Sequence, residues 1–152
     1  MCSNILKRVP NSILWILRFP PAGEANIRAE ALARGIGPDQ LHFTNVAPKD
    51  EHIKRGHLAD LFLDTPCCNA HTTGCDILWS GTPMLTLSGK KMATRVGTSL
   101  LKAANLPELA TTSREEYEEL AVELAMDPEK LFQLRLRLEQ GRRTSPLFDT
   151  QR

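Results

Sequence analysis

A short stretch of the sequence, His71-Thr72-Thr73-Gly74, combines residue types that bind phosphate groups with the predicted start of a helix. Backbone N–H groups at a helix start lack intrahelical acceptors, and the helix dipole favours an anion there. The hydroxyl groups of Thr72 and Thr73 add donors, and Gly74 would let a bulky phosphate group come close. Alternatively, Thr72 or Thr73 only caps the helix. The stretch therefore predicts a phosphate site or a capped helix start.

A second group of candidate residues is spaced at intervals of three, at Lys49, His52 and Arg55. On a helix these side chains spread over roughly 120° and can face one cleft. A lysine can hold a ribose hydroxyl or a phosphate, an imidazole can stack on a base, and an arginine can anchor polar groups. The alternative is a solvated face, because further charged residues lie in the same segment, namely Asp50, Glu51 and Lys54.

A third group could bind metal, since Cys68, His71 and Cys75 lie close together, with Asp64 or Asp76 as a fourth ligand. Their spacing matches no common zinc module, and no second Cys/His pair follows. We therefore expect no metal. A nucleophilic cysteine would need an acid/base partner that the pattern does not supply, so we assign no catalytic residue.

Short apolar strands at residues 13–17, 41–46, 61–63 and 84–87 alternate with helix-sized segments. This alternation predicts an α/β fold, a Rossmann-like parallel sheet with flanking helices. The first run is apolar throughout, as in a strand covered on both faces. Ligands bind at the carboxyl ends of such strands. That rule selects three loops, at residues 18–23, 47–55 and 64–76, and the last two contain all the candidates above.

Helix boundaries can also be predicted from the sequence. Helices are expected over residues 24–34, 48–58, 72–80 and 92–102. Ser113 and Glu116 have the spacing of a capping box that starts another helix. The last helix should begin at Asp127 and end at Gly141, with one apolar face made by Leu131, Leu134 and Leu138. Residues 142–152 show no periodicity, and we expect them to be exposed, either frayed or packed on a partner.

Composition excludes several classes of function. The 152 residues correspond to one domain that can bury about 69% of its unfolded surface. With 19 basic and 18 acidic residues, the chain has no broad basic surface for nucleic acid. The longest apolar run, residues 13–17, is too short to cross a membrane. Three of the four cysteines cluster within nine residues, which favours reduced thiols and a cytoplasmic or nuclear location.

Taken in order, the sequence segments resemble the carboxyl-terminal catalytic lobe of the protein O-linked N-acetylglucosamine (O-GlcNAc) transferase family. The resemblance covers nearly the whole chain and is carried by an ordered set of short motifs. These are Asn4-Ile-Leu-Lys-Arg-Val-Pro-Asn-Ser12, Val46-Ala-Pro-Lys49, Leu58-Ala-Asp60, Leu63-Asp-Thr-Pro66, His71-Thr-Thr-Gly74, Gly81-Thr-Pro-Met84 and Ser145-Pro-Leu-Phe148.

The resemblance implies one lobe of a GT-B glycosyltransferase, with residues 1–152 forming a donor-nucleotide-binding lobe truncated at both ends. The family transfers N-acetylglucosamine from UDP-GlcNAc to Ser or Thr of proteins, with inversion and without a metal or other cofactor. The expected partners are UDP or UDP-GlcNAc, protein acceptors, an amino-terminal catalytic lobe and a tetratricopeptide (TPR) region. We do not expect activity from this chain alone. The alternative is a non-catalytic remnant that binds a nucleotide or a protein.

The resemblance also assigns residue roles. Lys49 would meet the ribose or phosphate, His52 would stack near the uracil, and Arg55 and the Ala47 backbone would help to recognise the base. Thr72 and Thr73 would hold the pyrophosphate. The other donor-site residues implied are Asp76 at the ribose, His71 near the donor sugar and diphosphate, and Cys68 in the pocket lining.

Overall fold

Seven α-helices and five β-strands follow one another along residues 1–149, the part of the chain that the computed structural model describes. The helices are α1 (Cys2–Arg8), α2 (Gly23–Ala33), α3 (Lys49–Gly56), α4 (Thr72–Ser80), α5 (Val96–Ala103), α6 (Arg114–Met126) and α7 (Pro128–Gly141). The strands are β1 (Leu14–Leu17), β2 (Leu41–Thr44), β3 (Phe62–Leu63), β4 (Met84–Leu87) and β5 (Ala110–Thr111). Within residues 1–149, no helix has the length and apolar character needed to cross a membrane.

The strands pair in parallel, as the alternation of strands and helices predicts. β1 pairs with β2, while β4 lies between β3 and β5. The chain divides into two compact units, Met1–His52 and Ile53–Arg152, and one sheet lies in each. The predicted parallel arrangement with flanking helices is confirmed, with its strands in two sheets instead of one.

The first unit, Met1–His52, has a small apolar core. Its buried side chains are Leu6, Ile36, Leu41 and Phe43. The apolar run of β1 is less buried than predicted, because Ile13 is 60% exposed and the strand is at most half-buried. Gly35 follows the end of α2 with φ +76°, a left-handed conformation that glycine adopts without steric cost. Helix α2 therefore ends within one residue of its predicted end at residue 34.

The second unit, Ile53–Arg152, has the larger core, built from leucines and Met84. On α7, Leu134 and Leu138 are buried and Leu131 packs against the same cluster, which confirms the predicted apolar face. The Ser113 Oγ accepts from the Glu116 amide at 3.1 Å, and the Glu116 carboxylate accepts from the Ser113 amide at 3.3 Å. The predicted capping box therefore starts α6.

Two elements have no counterpart in the sequence-based expectation. α1 has no side-chain cap, and its seven residues mix polar and apolar types. β5 has only two residues, Ala110 and Thr111, too few to show an alternating pattern. The helix expected over residues 92–102 begins later, because residues 92–94 form a 3₁₀ turn before α5.

The expectation that residues 142–152 are exposed is wrong for Ser145, Leu147 and Phe148, whereas Arg143, Thr144 and Pro146 are exposed. Ser145 is 2% exposed, and the Leu147 amide donates to the Ala103 carbonyl at 3.2 Å. Phe148 packs edge-on against Trp79 with ring centroids 5.0 Å apart. Leu147 and Phe148 thus bury apolar surface against the core of the second unit. Residues 150–152 lie outside the described part of the chain.

Candidate functional site

Each of the three loops selected from the sequence follows the carboxyl end of a strand. Arg18 follows β1, Asn45 follows β2 and Asp64 follows β3. The first two loops leave strands of the first unit and the third leaves a strand of the second unit. The strand-end rule for ligand sites therefore applies to the loops that carry the candidates.

The loop after β1 holds the loop after β2 through a charged network. Arg18 Nη1 donates to Asn45 Oδ1 at 2.7 Å. Arg18 and Arg28 both bind the Glu24 carboxylate, and their hydrogen bonds lower the pKa of Glu24. None of the predicted donor residues lies in this network, but Asn45 stands two residues before Ala47.

The start of α4 exposes the residues that the sequence singled out. His71 is the N-cap, makes no side-chain cap bond, and accepts the first intrahelical bond from the Cys75 amide at 3.1 Å. The amides of Thr72, Thr73 and Gly74 come before Cys75 in the chain. Like the first amides of any helix, they have no intrahelical acceptor. The capping alternative for Thr72 or Thr73 is wrong, because neither residue is the N-cap. His71, Thr72 and Thr73 are all exposed.

Gly74 has a different role from the one predicted. It is buried, and a Cβ added to it would lie 2.7 Å from Leu100 Cδ1 and 3.4 Å from both Ala70 Cβ and Met84 Sδ. The space that the glycine leaves is therefore filled by the protein's own side chains. Gly74 allows α4 to pack closely against α5 and β4, and it does not open a path for a phosphate group.

Cys68 and Asp76 lie on either side of this helix start. Cys68 is exposed in the loop before α4, and its Sγ lies 3.8 Å from the Asn69 carbonyl oxygen. Asp76 is half-buried on α4, four residues after Thr72. Residues four apart share a helix face, so Thr72 and Asp76 project from the same side of α4.

The loop that leads into α4 is organised around a buried acid. Asp64 is 2% exposed, and its Oδ1 accepts from the Thr65 amide at 2.9 Å and the Ala70 amide at 2.7 Å. Its Oδ2 accepts from Thr86 Oγ1 at 2.6 Å. Burial raises the pKa of Asp64, while these hydrogen bonds and the charge of His71 act to lower it. Both carboxylate oxygens of Asp64 therefore accept hydrogen bonds from donors within the protein.

The metal alternative finds no support in this geometry. Within residues 1–149, no group of three or more His, Cys, Asp or Glu side chains is arranged to hold a metal ion. Cys68, His71 and Cys75 are close in sequence but do not form such a group, and both carboxylate oxygens of Asp64 already accept hydrogen bonds.

Helix α3 carries the second group of candidates. Lys49 is its first residue and is exposed, whereas His52 and Arg55 are half-buried, as is Ala47 in the preceding loop. The solvated-face alternative therefore fits Lys49 but not His52 and Arg55. The fully exposed residues of the helix are Lys49, Asp50, Glu51 and Lys54.

The carboxyl end of α3 is fixed within the second unit. Thr82 Oγ1 donates to the Gly56 carbonyl at 2.7 Å. The guanidinium of Arg135 donates to the Ala59 carbonyl at 2.6 Å and the His57 carbonyl at 2.9 Å. A Cβ on Gly56 would lie 2.9 Å from Ser80 Oγ, so this position needs glycine. These contacts fix the backbone that carries Arg55.

The nine predicted donor residues fall into two groups. Ala47, Lys49 and His52 belong to the first unit, and the other six belong to the second unit. Within the second unit, His71, Thr72 and Thr73 are adjacent at the start of α4, Cys68 precedes them, Asp76 lies one turn later, and Arg55 is on α3.

The supporting roles of two residues were not predicted: Asp64, which the sequence offered only as a metal ligand, and Arg135. Asp64 directly follows an apolar strand and precedes Thr65, a pattern typical of an aspartate that bonds to nearby backbone amides. That signal could have identified Asp64. Arg135 has no comparable signal, because its partners Ala59 and His57 are more than 70 residues away in the sequence.

Residues 1–152 match glycosyl transferase family 41. The chain is 58% identical over 150 residues to the probable UDP-N-acetylglucosamine--peptide N-acetylglucosaminyltransferase SEC of Arabidopsis thaliana. It is 50% identical over 149 residues to the UDP-N-acetylglucosamine--peptide N-acetylglucosaminyltransferase of Caenorhabditis elegans. Each alignment covers 98% of this chain but only 15% and 13% of the respective relatives.

A solved structure, that of a variant of the Thermobaculum terrenum O-GlcNAc transferase, is similar with a TM-score of 0.90 and 28% identity. The similarity covers 98% of this chain and 29% of that chain. It matches the parallel α/β arrangement with flanking helices to one lobe of a GT-B enzyme. The chain belongs to glycosyl transferase family 41, and its fold is that of an O-GlcNAc transferase lobe.

Proposed function

We propose that this chain is the donor-binding lobe of a protein O-GlcNAc transferase and that it binds UDP-GlcNAc. The names of its relatives describe transfer of N-acetylglucosamine from UDP-N-acetylglucosamine to a peptide. The chain spans 15% of the first of these relatives and 13% of the second. Donor binding is therefore the part of the reaction that we assign to these 152 residues.

The observation that carries the proposal is the exposed start of α4. Its first amides, which have no intrahelical acceptors, the helix dipole and the hydroxyl groups of Thr72 and Thr73 can all meet a diphosphate. His71 stands at the N-cap, beside the position of the diphosphate and the donor sugar in this proposal. Charge-assisted hydrogen bonds of this kind are stronger than those between neutral groups.

The remaining donor contacts follow from the family resemblance. Lys49 meets the ribose or a phosphate, His52 stacks near the uracil, and Arg55 and the Ala47 backbone recognise the base. Asp76 binds the ribose, and Cys68 lines the pocket near the sugar. The half-buried positions of His52 and Arg55 support these roles, since a partly covered side chain is less free to move than an exposed one.

In the proposed reaction, a Ser or Thr hydroxyl oxygen bonds to the anomeric carbon of GlcNAc as the bond to the diphosphate oxygen breaks. UDP leaves with the electron pair, and the hydroxyl proton passes to a base that this chain does not identify. The start of α4 stabilises the negative charge that grows on the departing diphosphate. We assign no resident metal or other cofactor to this step.

We propose that transfer needs more than this chain. The two substrates must be held in line in a closed cleft, and in the family an amino-terminal catalytic lobe supplies the facing side. The expected partners are that lobe, the TPR region and protein acceptors with Ser or Thr. The clustered cysteines favour a reducing compartment, the cytoplasm or the nucleus.

The start of α4 can be tested by comparing UDP with uridine, which lacks the diphosphate. Thr73→Ala should weaken UDP binding about tenfold, because a hydrogen bond to a charged group contributes roughly 1.5–3 kcal/mol. It should leave uridine binding unchanged. Calorimetric titration of both ligands into the wild-type and variant chains makes the measurement.

Helix α3 offers a matched pair for the same titration. Lys49→Ala should weaken UDP binding, whereas Lys54→Ala removes an equally exposed lysine of the same helix that has no assigned role. Unchanged UDP affinity in both Thr73→Ala and Lys49→Ala would refute the assigned site. Equal losses in Lys49→Ala and Lys54→Ala would indicate only a general charge effect.

A further inference from the structure

The first residue after β3 is a buried acid to which the proposed donor site gives no role. Asp64 is 2% exposed, and each of its carboxylate oxygens accepts hydrogen bonds. Burying a carboxylate costs free energy unless its hydrogen bonds compensate. The burial of Asp64 at this position of the fold therefore calls for a structural explanation.

A single oxygen of Asp64 closes the loop between β3 and α4. Oδ1 accepts from the Thr65 amide at 2.9 Å and from the Ala70 amide at 2.7 Å. These donors lie at the two ends of the segment 65–70. Ala70 directly precedes His71, the N-cap of α4. The position of this one oxygen thus fixes where α4 begins.

Asp64 is itself held by elements outside the loop. Thr86 Oγ1 on β4 donates to its Oδ2 at 2.6 Å, and the Tyr117 hydroxyl on α6 donates to its carbonyl oxygen at 3.0 Å. On α5, a Cβ at Gly97 would lie 2.6 Å from Asp64 Oδ2 and 2.3 Å from Thr86 Oγ1. The acid therefore connects the loop to a rigid frame that includes β4, α5 and α6.

A second buried side chain supports the same loop. Asn69 is 4% exposed, and its Nδ2 donates to the Thr65 carbonyl at 3.0 Å. Its Oδ1 accepts from the Gly97 amide at 3.1 Å. Asn69 thus ties the loop to α5, while Asp64 reaches the residue next to the N-cap.

The residue type at position 64 matches the donors that surround it. Two amides and one hydroxyl point at the side chain. A carboxylate accepts on both oxygens, whereas an amide accepts on only one. The negative charge by itself would repel a diphosphate bound at the start of α4. The contribution of Asp64 to donor binding is therefore geometric.

We infer that Asp64 is a positioning residue that holds the diphosphate-binding start of α4 in place through the Ala70 amide. This inference rests on the proposed donor function. The role differs from general stabilisation of the fold, because it acts on one backbone amide next to His71. Losing that bond should loosen the orientation of the Thr72 and Thr73 amides while the core keeps its packing.

Three variants separate positioning from stability. Asp64→Ser keeps a local acceptor for the Thr65 amide, but its shorter side chain does not reach Ala70. Asp64→Asn keeps an oxygen that both amides can use. Asp127→Ala removes the side-chain N-cap of α7, which has no part in this network, and leaves the loop bonds intact. We expect UDP affinity to fall about tenfold in Asp64→Ser, a difference of about 1.4 kcal/mol.

In Asp64→Asn, UDP affinity should return to within about threefold of the wild type, because the geometry is rescued. In Asp127→Ala, thermal stability should fall while UDP affinity stays within about twofold. An Asp64→Ser chain that is folded and binds UDP as tightly as the wild type would overturn the inference. So would an Asp127→Ala chain that loses as much affinity as Asp64→Ser.

Hydrogen exchange of the wild-type chain without ligand provides a measurement that needs no variant and no UDP. The Ala70 amide should exchange far more slowly than the exposed Thr72 and Thr73 amides. Exchange of all three at similar rates would overturn the inference even if Asp64→Ser fails to fold. A wild-type chain with a protected Ala70 amide that does not bind UDP would instead contradict the proposed function.

Discussion

At the scale of single residues, desolvation and hydrogen bonding act on the pKa of Asp64 in opposite directions. Burial raises the pKa of this carboxyl above its ordinary value, and Thr86, Ala70 and Thr65 lower it through hydrogen bonds. His71 is the charged group that acts on it from the start of α4. The net direction is upward, so the folded chain holds the proton of Asp64 more tightly than the unfolded chain does.

This direction predicts how stability depends on pH. A raised folded-state pKa stabilises the fold fully below the unfolded pKa, and that stabilisation is lost as pH rises through the folded value. Asp64→Asn removes the titration. The variant should therefore gain stability relative to the wild type as pH rises from about 4 to about 7, by roughly 1.4 kcal/mol for each unit of pKa shift.

Urea unfolding of both chains at several pH values makes this measurement. The relevant quantity is the difference in unfolding free energy between wild type and variant, since the other titrating groups contribute equally to both chains. A difference that stays constant with pH would contradict the upward shift of the Asp64 pKa. A difference that changes in the opposite direction would also contradict it.

The positions of the candidate residues were predictable where a local pattern exists. In the sequence, a strand and a loop precede residues 72–80, and Gly81 follows them. This order predicted correctly that Thr72 and Thr73 lie at a helix start. The role of Gly74 was predicted wrongly, because its neighbour Leu100 is distant in the sequence. Arg135 escaped prediction for the same reason, since its carbonyl partners come together with it only in the folded chain.

At the scale of elements, α4 depends on a glycine at its end. Gly81 has φ +90°, and its amide donates to the Leu78 carbonyl at 3.1 Å. A Cβ there would also lie 3.0 Å from a terminal nitrogen of Arg142. The helix end therefore combines a left-handed backbone with close contact to the C-terminal segment.

Gly81→Ala should destabilise the chain more than Gly35→Ala. Both glycines have positive φ, so each substitution should cost about 1–2 kcal/mol. At Gly35 a Cβ would meet only the end of the Lys7 side chain, at 3.8 Å, which can move away. The extra loss at Gly81 comes from Arg142, whose guanidinium also packs over the Trp79 ring at 5.6 Å and would lose that contact by moving away. Thermal unfolding measures the loss of stability in each variant. An equal loss of stability in both would show that Arg142 moves aside without cost.

The sequence predicted long, patterned elements better than short ones. The capping box of α6 is a local signal within four residues. The apolar face of α7 is a periodic signal that extends over several turns. β5 has two residues and is defined by its pairing with β4, which no local pattern encodes. Residues 142–149 have no periodicity, yet they fold back because Leu147 and Phe148 find an apolar surface on the second unit.

At the scale of the whole molecule, the chain corresponds to a small part of the length of each relative. Its relatives are far longer, and this chain corresponds to 15% of the Arabidopsis protein and 13% of the Caenorhabditis elegans protein. We propose that residues within this part bind the donor nucleotide.

The most direct test of the central claim is calorimetric titration of UDP into the purified chain, with GDP as the comparison ligand. We expect saturable binding of UDP and clearly weaker binding of GDP, because the α3 residues are assigned to uracil and the start of α4 to the diphosphate that both ligands share. Equal binding of UDP and GDP would contradict the assigned recognition of the base. A folded chain that binds neither nucleotide would contradict the donor-binding function and leave a non-catalytic member of the family.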